Sequence, residues 1–302
     1  MDMASRLSRK SYLEATARER VLGLLDPGSF AEILPPEARV RSPHLALLDH
    51  PAAFDDGLIC GDGKIDGKDV VIAAQEGAFI GGAVGEVHGA KLTGILERAA
   101  ERGVAGAVML FETGGVRLHE ANAGLVAIAE IQRAVFDARA AGVPVIAVIG
   151  GANGCYGGIG IVAKSCDVVI MSEEGRMSVS GPEVIETTHG IEEFDAQDRA
   201  LVWRTMGGKH RYLCGDADVL VDDDVAAFRT AITACLGQPR DLDLDAVQAE
   251  HARLGDRLAR FGTADDAIDL WRGLGVDEPE VLPSLGVNEF LPIADQVRGG
   301  RS

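Results

Sequence analysis

The sequence lacks the features that mark secreted and membrane-spanning proteins. No segment reaches the ~18 uninterrupted apolar residues of a membrane helix, and charged side chains interrupt the first twenty residues, where a secretory signal would be apolar. The cysteines are odd in number and include no C-x-x-C pair: Cys60, Cys155, Cys166, Cys214 and Cys235. This spacing favours neither a disulfide framework nor a zinc site. We therefore expect reduced thiols, no bound metal, no membrane contact and a cytoplasmic location.

Basic residues are also scarce. Lys and Arg number 29 against 47 Asp and Glu, which gives a formal net charge of −18. No basic block offsets the repulsion from phosphates, so we expect no nucleic-acid partner. The aspartates between 216 and 224 could be imagined as a cation site, but the spacing of an EF-hand is missing. Carboxylates suit the start of a helix, and we interpret this stretch as a solvated loop.

The chain has 302 residues, enough for one large α/β domain or two small ones. From Lys68 onward, short apolar runs alternate with amphipathic helical patterns. The runs that predict strands are 70–74, 107–111, 144–149 and 168–171, and the helical patterns between them are 91–102, 117–141 and 158–165. Buried strands separated by crossover helices indicate a largely parallel, layered α/β core.

The segments that flank this core have other patterns. An S-x-x-E capping box at Ser11 and Glu14 predicts the start of an N-terminal helix. Residues 26–67 are rich in Pro, Gly, Asp and His, and we interpret them as a loop-rich approach to the core. After Gly181 the patterns are mainly helical, with one predicted strand at 217–221.

Glycine pairs follow two of the predicted strands. The motif TGGVR spans 113–117 between a strand and a predicted helix, and GGANGCYGG spans 150–158 in the same setting. Glycine lets a ligand approach the backbone closely, and the N-terminus of a helix favours negative charge. The residues that could hold an anion through their amides are Gly114, Gly115, Gly157 and Gly158. Each pair could also be a simple tight turn.

Other sources of chemistry are weaker. The run 158–163 fits the dinucleotide fingerprint G-x-G-x-x-A, but that motif needs a full crossover helix, and the helix predicted here is too short. Cys155 could be a nucleophile, and His88, His119 or His189 could transfer protons; a packing role is the alternative for each. No nucleophile-triad motif is present.

Several motifs, in their order and spacing, resemble the carboxyltransferase branch of the crotonase superfamily. They are GGAVGEVHGAK at 81–91, TGGVR at 113–117, YGGI at 156–159 and SGPEVIE at 180–186. Farther on, GIEEFD at 190–195, RALVWR at 199–204 and GGKHRY at 207–212 most resemble the beta subunits of biotin-independent malonate decarboxylases. The similar acetyl-CoA carboxylase beta subunits open with a four-cysteine zinc ribbon, which this chain lacks, as it lacks a biotin-attachment Met-Lys-Met.

The resemblance implies a single carboxyltransferase-type domain over 1–302 with the layered β-β-α superhelix of the ClpP/crotonase fold. Residues 1–65 would form the N-terminal helix and loop-rich approach. Residues 66–190 would form the crotonase-like core of parallel strands and flanking helices, and 191–302 a mainly helical C-terminal part. The chain supplies one of the two homologous halves of such a site, so a homologous gamma subunit is implied as its partner.

The resemblance also implies a reaction. Malonyl carried by an acyl carrier protein, on a CoA-like phosphopantetheine arm, would lose carbon dioxide without biotin and leave the acetyl thioester. The four glycine amides would hold the enolate, and the substrate would be contacted by Arg117, Tyr156, Ser180 and Gly181. For Arg117 a structural ion pair is equally open. Two other functions stay open: a biotin-dependent acyl-CoA carboxyltransferase subunit, and a structural half that binds the carrier protein while its partner catalyses.

Overall fold

Seven strands form one sheet in a computed structural model that describes residues 10–47, 56–264 and 266–299. The strands are β1 (Ala31–Glu32), β2 (Leu58–Ile65), β3 (Lys68–Gln75), β4 (Ala107–Leu110), β5 (Val145–Ile149), β6 (Val168–Ser172) and β7 (Val219–Val221). Their order in the sheet follows the chain, with antiparallel pairing from β1 to β3 and parallel pairing from β3 to β7. Parallel neighbours need a crossover connection, which explains the helices between them.

The helices cover the sheet and make up most of the C-terminal third. They are α1 (Ala17–Leu24), α2 (Pro43–Leu47), α3 (Glu86–Arg102), α4 (Ala123–Ala140), α5 (Gly158–Ser165), α6 (Pro182–His189), α7 (Arg199–Met206), α8 (Gly208–Leu213), α9 (Val225–Cys235), α10 (Leu244–Phe261), α11 (Ala267–Gly273) and α12 (Val287–Gly299). Short 3₁₀ helices lie at Pro36–Ala38, Ile80–Gly82, Leu118–Glu120 and Pro279–Ser284. Within the described ranges, no helix is long and apolar enough to span a bilayer.

A second row of β-bridges lies between the strands and the helices. Val84 pairs with Val116, Thr113 with Cys155, and Cys155 with Met177, all in parallel. The chain thus passes repeatedly from a long strand to a short bridging segment and then to a helix, as from β4 through Thr113 to α4. This repeat is a β-β-α superhelix, and it places the loops after β4, β5 and β6 side by side.

Both faces of the sheet are buried. Met109 and Ala147 belong to the core on the side of α3, α4 and α5, whereas Leu110 and Val148 belong to the core on the side of α1 and α9. Successive side chains of a strand point to opposite faces. Because both faces are covered, the strands consist of unbroken apolar runs, which is why the sequence predicts them well.

Two helix starts differ from the prediction. The capping box of α1 is formed by Thr16 and Glu19, each bonded to the other's backbone amide, whereas Ser11 and Glu14 lie in the turn before it. Helix α4 begins at Ala123 instead of about 117, because the chain first makes a 3₁₀ turn. The first glycine pair therefore does not lie directly at the start of a helix.

The interpretation of 26–67 as a loop-rich approach is wrong for Leu58–Ile65, which is strand β2. Gly61 and Gly63 hide the apolar pattern of this strand. A Cβ atom on Gly61 would lie 2.2 Å from the carbonyl oxygen of Ala31, so glycine is needed there for β1 to approach. The sheet therefore begins before residue 66.

Candidate active site

Both glycine amides of the turn after β4 already have acceptors. The N–H of Gly114 donates to the carbonyl oxygen of Gly81 at 2.9 Å, and the N–H of Gly115 donates to the hydroxyl oxygen of Thr113 at 3.0 Å. Gly115 has φ +140°, a conformation that other residues rarely adopt. These glycines shape the turn, and their amides are already engaged.

The next amide in the chain is oriented differently. In the parallel bridge between Val84 and Val116, the N–H of Val84 donates to Gly115 and the N–H of Arg117 donates to Val84, each at 2.9 Å. The N–H of Val116 itself therefore points away from Val84, toward the side of the turn after β5. It meets no acceptor among the residues that the structure describes.

The turn after β5 leaves amides available at the start of a helix. The N–H of Gly157 donates to the carbonyl oxygen of Val179 at 2.9 Å, and Gly157 has φ +65° and ψ −144°, which only glycine adopts readily. Gly158 is the first residue of α5. In the described part of the chain, the N–H groups of Gly158 and Ile159 have no acceptor, because the first amides of a helix lack intrahelical partners.

The two turns touch one another. A Cβ atom built on Gly157 would lie 3.6 Å from the Cα of Gly115. Gly115, Val116, Gly157 and Gly158 are all half-exposed, so this contact opens at the protein surface. Of the four glycine amides suggested by the sequence, only that of Gly158 has no acceptor within the described ranges. The amide of Val116, which the sequence did not suggest, likewise has none there. Both lie beside the positive end of α5.

Arg117 lies beneath the first turn. Its guanidinium donates to the carbonyl oxygens of Ala83 and Asp56 and to the carboxylate of Glu120. Only 5% of its side chain is exposed. These contacts tie the turn to the segment before α3 and match the structural ion pair that the sequence left open. They do not support direct contact between Arg117 and a substrate.

Tyr156, Ser180 and Gly181 lie beside the second turn. The N–H of Tyr156 donates to the carbonyl oxygen of Thr113 at 3.0 Å, and burial raises the pKa of the Tyr156 hydroxyl. This hydroxyl is neutral at physiological pH and has no partner among the described residues. Gly181 is the N-cap residue of α6, and a Cβ atom on it would lie 3.9 Å from the Tyr156 ring. Half-buried Ser180 precedes it in the same loop.

A buried ion pair supports both turns from below. Glu112 pairs with Arg20 of α1 and accepts the N–H of Asn153 at 3.1 Å. A Cβ atom on Gly151 would lie 2.2 Å from the Glu112 carboxylate, so this glycine makes room for it. Removing one partner of such a pair typically costs roughly 3–5 kcal/mol. The sequence reasoning missed this pair, and its only signal was a charged residue at the end of an apolar run.

Two of the side-chain catalysts considered from the sequence are poorly placed. Cys155 and His88 are fully buried. Burial raises the pKa of the Cys155 thiol, which stays protonated, and burial together with the charge of Arg117 lowers the pKa of His88 to about 3. Helix α5 has eight residues, too few for the crossover of a dinucleotide-binding unit.

The aspartates between 216 and 224 have structural partners. Asp216 pairs with Arg211 and Arg257, and Asp224 caps the start of α9. The described residues contain no group of three His, Cys, Asp or Glu side chains arranged to hold a metal ion.

A comparison with known protein families assigns the chain. The family described as "Carboxyl transferase domain" matches residues 13–243. The chain belongs to this family. Malonyl-S-ACP:biotin-protein carboxyltransferase MADC of Malonomonas rubra is 42% identical over 97% of this chain and 98% of its own length.

Solved structures agree with this assignment. A chain of the Pseudomonas malonate decarboxylase hetero-tetramer is 44% identical with a TM-score of 0.82, covering 90% of this chain and 100% of that chain. A chain of the Pseudomonas malonate decarboxylase MdcD-MdcE hetero-dimer is 41% identical with a TM-score of 0.66, covering 82% of this chain and 97% of that one. The predicted resemblance to malonate decarboxylase and the predicted crotonase-like fold are confirmed.

Proposed function

We propose that this chain is the beta subunit of the malonyl-thioester decarboxylase component of a malonate decarboxylase, and that it acts as a carboxy-lyase on malonyl carried by an acyl carrier protein. The observation that carries the proposal is the pair of amides without acceptors in the described structure, those of Val116 and Gly158, at the contact between two turns. Similarity to a chain of Pseudomonas malonate decarboxylase supports the reaction class.

The chemistry matches these donors. Loss of carbon dioxide from a malonyl thioester leaves an electron pair that is shared with the thioester carbonyl, so negative charge develops on its oxygen. Amides that are already oriented stabilise this charge more in the transition state than in the ground state. Val116 and Gly158 donate to the oxygen, and the positive end of α5 adds to the attraction. Losing one such donor typically lowers kcat roughly 10²-fold to 10³-fold.

The neighbouring residues have supporting roles. Gly115 and Gly157 hold the backbone conformations that orient the two donors, and Gly114 ties the first turn to Gly81. In this proposal, Tyr156, Ser180 and Gly181 border the acyl group, whereas Arg117 positions the first turn without touching the substrate. The proposed reaction needs no covalently bound cofactor and no biotin on this chain.

The proposed subunit works with a homologous gamma subunit and with a carrier protein whose phosphopantetheine arm delivers the malonyl group. Support comes from the Pseudomonas relatives, which are parts of a hetero-dimer and a hetero-tetramer. Large apolar side chains near the turns are exposed, among them Leu118 at 84% and Leu125 at 57%. Such a surface fits a subunit that completes the site. We place the complex in the cytoplasm, where five free cysteines would stay reduced.

Carboxyl transfer to a biotin protein is the second candidate function. It is favoured by the 42% identity to the Malonomonas rubra protein, whose name gives a biotin protein as its acceptor. The same two amides would serve this reaction, because both reactions remove a carboxyl group and leave an enolate. The fate of the carboxyl group distinguishes them.

The deciding experiment uses the chain co-expressed with its homologous subunit and a carrier protein. Release of labelled carbon dioxide from malonyl carrier protein is measured with and without avidin. We expect turnover that avidin does not change. Inhibition by avidin, or a requirement for added biotin protein, would overturn the biotin-independent assignment. Full activity after both turns are altered would assign catalysis to the partner and leave this chain a structural role.

A further inference from the structure

Three side-chain donors are buried without an acceptor beside the second glycine turn. They are the Tyr156 hydroxyl, Nε of Arg176 and Nε1 of Trp203. Among the residues that the structure describes, only three others bury a side-chain nitrogen or oxygen in this way. A buried donor without an acceptor is costly, and native proteins contain few of them. Three in one place indicate that an acceptor from outside the chain binds there.

The three side chains lie next to one another. The guanidinium carbon of Arg176 is 4.4 Å from the centre of the Trp203 ring. A Cβ atom built on Gly154 would lie 3.0 Å from the carbonyl oxygen of Arg176 and equally 3.0 Å from Cζ of Tyr156. Burial raises the pKa of the Tyr156 hydroxyl, and of the neighbouring charges that of Arg176 opposes this most strongly. The turn after β5, the loop after β6 and helix α7 thus each contribute one donor to the same place.

The cluster has a positive charge that no carboxylate of the described chain neutralises. Most arginines in the described ranges pair with an Asp or Glu side chain. Arg176 instead donates to the carbonyl oxygen of Ala152 and lies over Trp203. Glu183 acts against Arg176 at the Tyr156 hydroxyl, but Glu183 is exposed to water. In a chain with a net charge of −18, such a place favours an anionic ligand.

We propose that Tyr156, Arg176 and Trp203 bind the free carboxylate of the malonyl group, an inference that rests on the proposed function. Tyr156 immediately precedes Gly157 and Gly158, so it belongs to the same turn as the second oxyanion donor. In a malonyl thioester, one methylene group separates the carboxylate from the thioester carbonyl, whereas the phosphate lies at the far end of the arm. The carboxylate is therefore the anion nearest to the donor amides.

The chemistry of the three donors fits a carboxylate. An ionised carboxylate offers about four lone-pair positions on two oxygens, enough for all three donors. The Tyr156 hydroxyl is neutral and can donate a charge-assisted hydrogen bond. Arg176 contributes the positive charge, and its position over the Trp203 ring holds the guanidinium in place.

Helix α6 gives the carboxylate a route to the Tyr156 hydroxyl. Tyr156 itself is only 5% exposed. Its ring lies against Gly181, the N-cap residue of α6, where a Cβ atom would be 3.9 Å away. Pro182 is the one buried residue of this helix. A helix with so little buried surface can move aside at low cost.

Binding the group that leaves has a kinetic consequence. The carboxylate loses its charge as it becomes carbon dioxide, so donors that hold it stabilise the ground state at least as well as the transition state. These side chains should therefore increase affinity for a malonyl over an acetyl group and leave kcat nearly unchanged. Their effect thus differs from that of the Val116 and Gly158 amides, which act on kcat.

Titration calorimetry of the assembled complex with two substrate analogues tests the subsite. Both carry the phosphopantetheine arm with nitrogen in place of the thioester sulfur, one with a malonyl and one with an acetyl group. The wild type should bind the malonyl analogue about 100-fold more tightly. Tyr156→Phe and Arg176→Met should each reduce this preference roughly tenfold, the effect of one hydrogen bond to a charged group. The Kd of the acetyl analogue should stay within about twofold.

Two control variants remove the same groups elsewhere. Tyr212→Phe deletes a hydroxyl that donates to Asp295, and Arg199→Met deletes a positive charge over the same Trp203 ring from an exposed position. Both should keep the preference for the malonyl analogue. Because the Tyr156 hydroxyl has no partner in the described chain, Tyr156→Phe should not lower the Tm, whereas Tyr212→Phe should.

Equal binding of the two analogues by the wild type would overturn the subsite, as would a preference that survives Tyr156→Phe. If the variants weaken both analogues alike, and only when the arm carries its phosphate, the cluster binds that phosphate and the carboxylate assignment is wrong. Turnover is measured separately. A complex that prefers the malonyl analogue but releases no carbon dioxide from malonyl carrier protein would contradict the proposed function and leave the subsite in place.

Discussion

The two glycine turns look alike in sequence but use their glycines differently. After β4, the amide of Gly114 is bonded to Gly81 and that of Gly115 to Thr113, and among the described residues the N–H of Val116 has no acceptor. After β5, the amide of Gly157 is bonded to Val179, whereas Gly158 starts a helix and keeps its N–H. In each turn, the presented amide belongs to the residue that follows a glycine with positive φ.

This difference distinguishes two roles that cannot be told apart from the glycine motif alone: turning the backbone and leaving an N–H without an acceptor. The positive-φ glycine turns the backbone, and the N–H of the next residue is left without an acceptor among the described residues; in the proposed function, this N–H is the donor to the substrate. A backbone donor requires no particular side chain, so the proposed role is compatible with valine in one turn and glycine in the other. The hydrogen-bond partners of each amide, and not the residue types alone, therefore identify the site.

Changing the glycine that orients the second donor should have the largest effect. Gly157→Ala forces a side chain onto φ +65° and ψ −144° and adds a methyl group 3.6 Å from the Cα of Gly115. We expect kcat to fall roughly 10³-fold, through loss of one donor and displacement of the other. Steady-state decarboxylation by the purified complex measures this, with gel filtration to verify assembly. A kcat within about tenfold of the wild type would contradict the role of Gly157.

The amide of Gly158 can be displaced by changing how Gly158 packs against α4. A Cβ atom on Gly158 would lie 2.6 Å from Cγ2 of Ile128 on α4, so Gly158→Ala should push the start of α5 aside. We expect kcat to fall about 10²-fold.

The double variant I128A/G158A is the matched control for this prediction. It removes the clash and keeps the N–H, so kcat should return to within about tenfold of the wild type. Ile128→Ala alone should remain active. A double variant as inactive as G158A would mean that the reaction needs the bare Cα of Gly158 and not the position of its amide.

The first turn differs from the second in a further way, because a buried neutral histidine lies near it. His88 lies 3.0 Å from the Gln75 side chain and 3.1 Å from the Asp56 carbonyl oxygen, and burial with the charges of Arg117 and Lys91 lowers its pKa to about 3. Such a histidine stabilises the fold when it is neutral. This stabilisation is complete above the unfolded pKa of about 6.5 and is lost as the pH falls toward the folded pKa.

We therefore expect His88 to make the free energy of unfolding about 2 kcal/mol smaller at pH 5 than at pH 6.5. Urea unfolding at the two pH values measures this, and His88→Gln should remove that part of the change. An equal pH dependence in the wild type and the variant would show that His88 is not kept neutral by the fold.

Gly114 should be the least sensitive of the glycines. Its Cβ position meets only the carbonyl oxygen of Gly81 at 3.7 Å, and its N–H already donates to that same oxygen. Gly114→Ala should change kcat by less than about threefold, as surface substitutions with no lost contact usually do. The same decarboxylation assay checks this. A loss as large as that of Gly157→Ala would remove the distinction between turn-shaping and donor-orienting glycines.

Most of the central fold could be predicted from the sequence because of its burial. Strands β4, β5 and β6 are covered on both faces, and their unbroken apolar runs end close to the predicted positions. Strand β2 could not be recognised, because Gly61 and Gly63 replace apolar side chains where β1 and α1 approach. The apolar pattern of α10 reads the same whether it faces a core or solvent, so its direction could not be predicted.

The site could be predicted only in part for a similar reason. Glycine pairs after successive strands indicate where two turns meet. Which amides remain without acceptors depends on two carbonyl groups from other parts of the chain. The carbonyl oxygen of Gly81 accepts the N–H of Gly114, and that of Val179 accepts the N–H of Gly157. Those contacts exist only in the folded protein, so the sequence suggested Gly114, Gly115, Gly157 and Gly158 alike and gave no signal for the amide of Val116.

The most direct measurement removes single N–H groups and adds no side-chain atoms. Replacing Val116 with its α-hydroxy analogue puts an ester oxygen in place of its N–H, and the same exchange at Gly115 removes an N–H that is bonded to Thr113. We predict that the Val116 ester lowers kcat of the complex roughly 10²-fold to 10³-fold with little change in KM. The Gly115 ester should lower it only about fivefold, the effect of one neutral hydrogen bond. Full activity of the Val116 ester, or a larger loss at Gly115 than at Val116, would contradict the assignment of Val116 as an oxyanion donor.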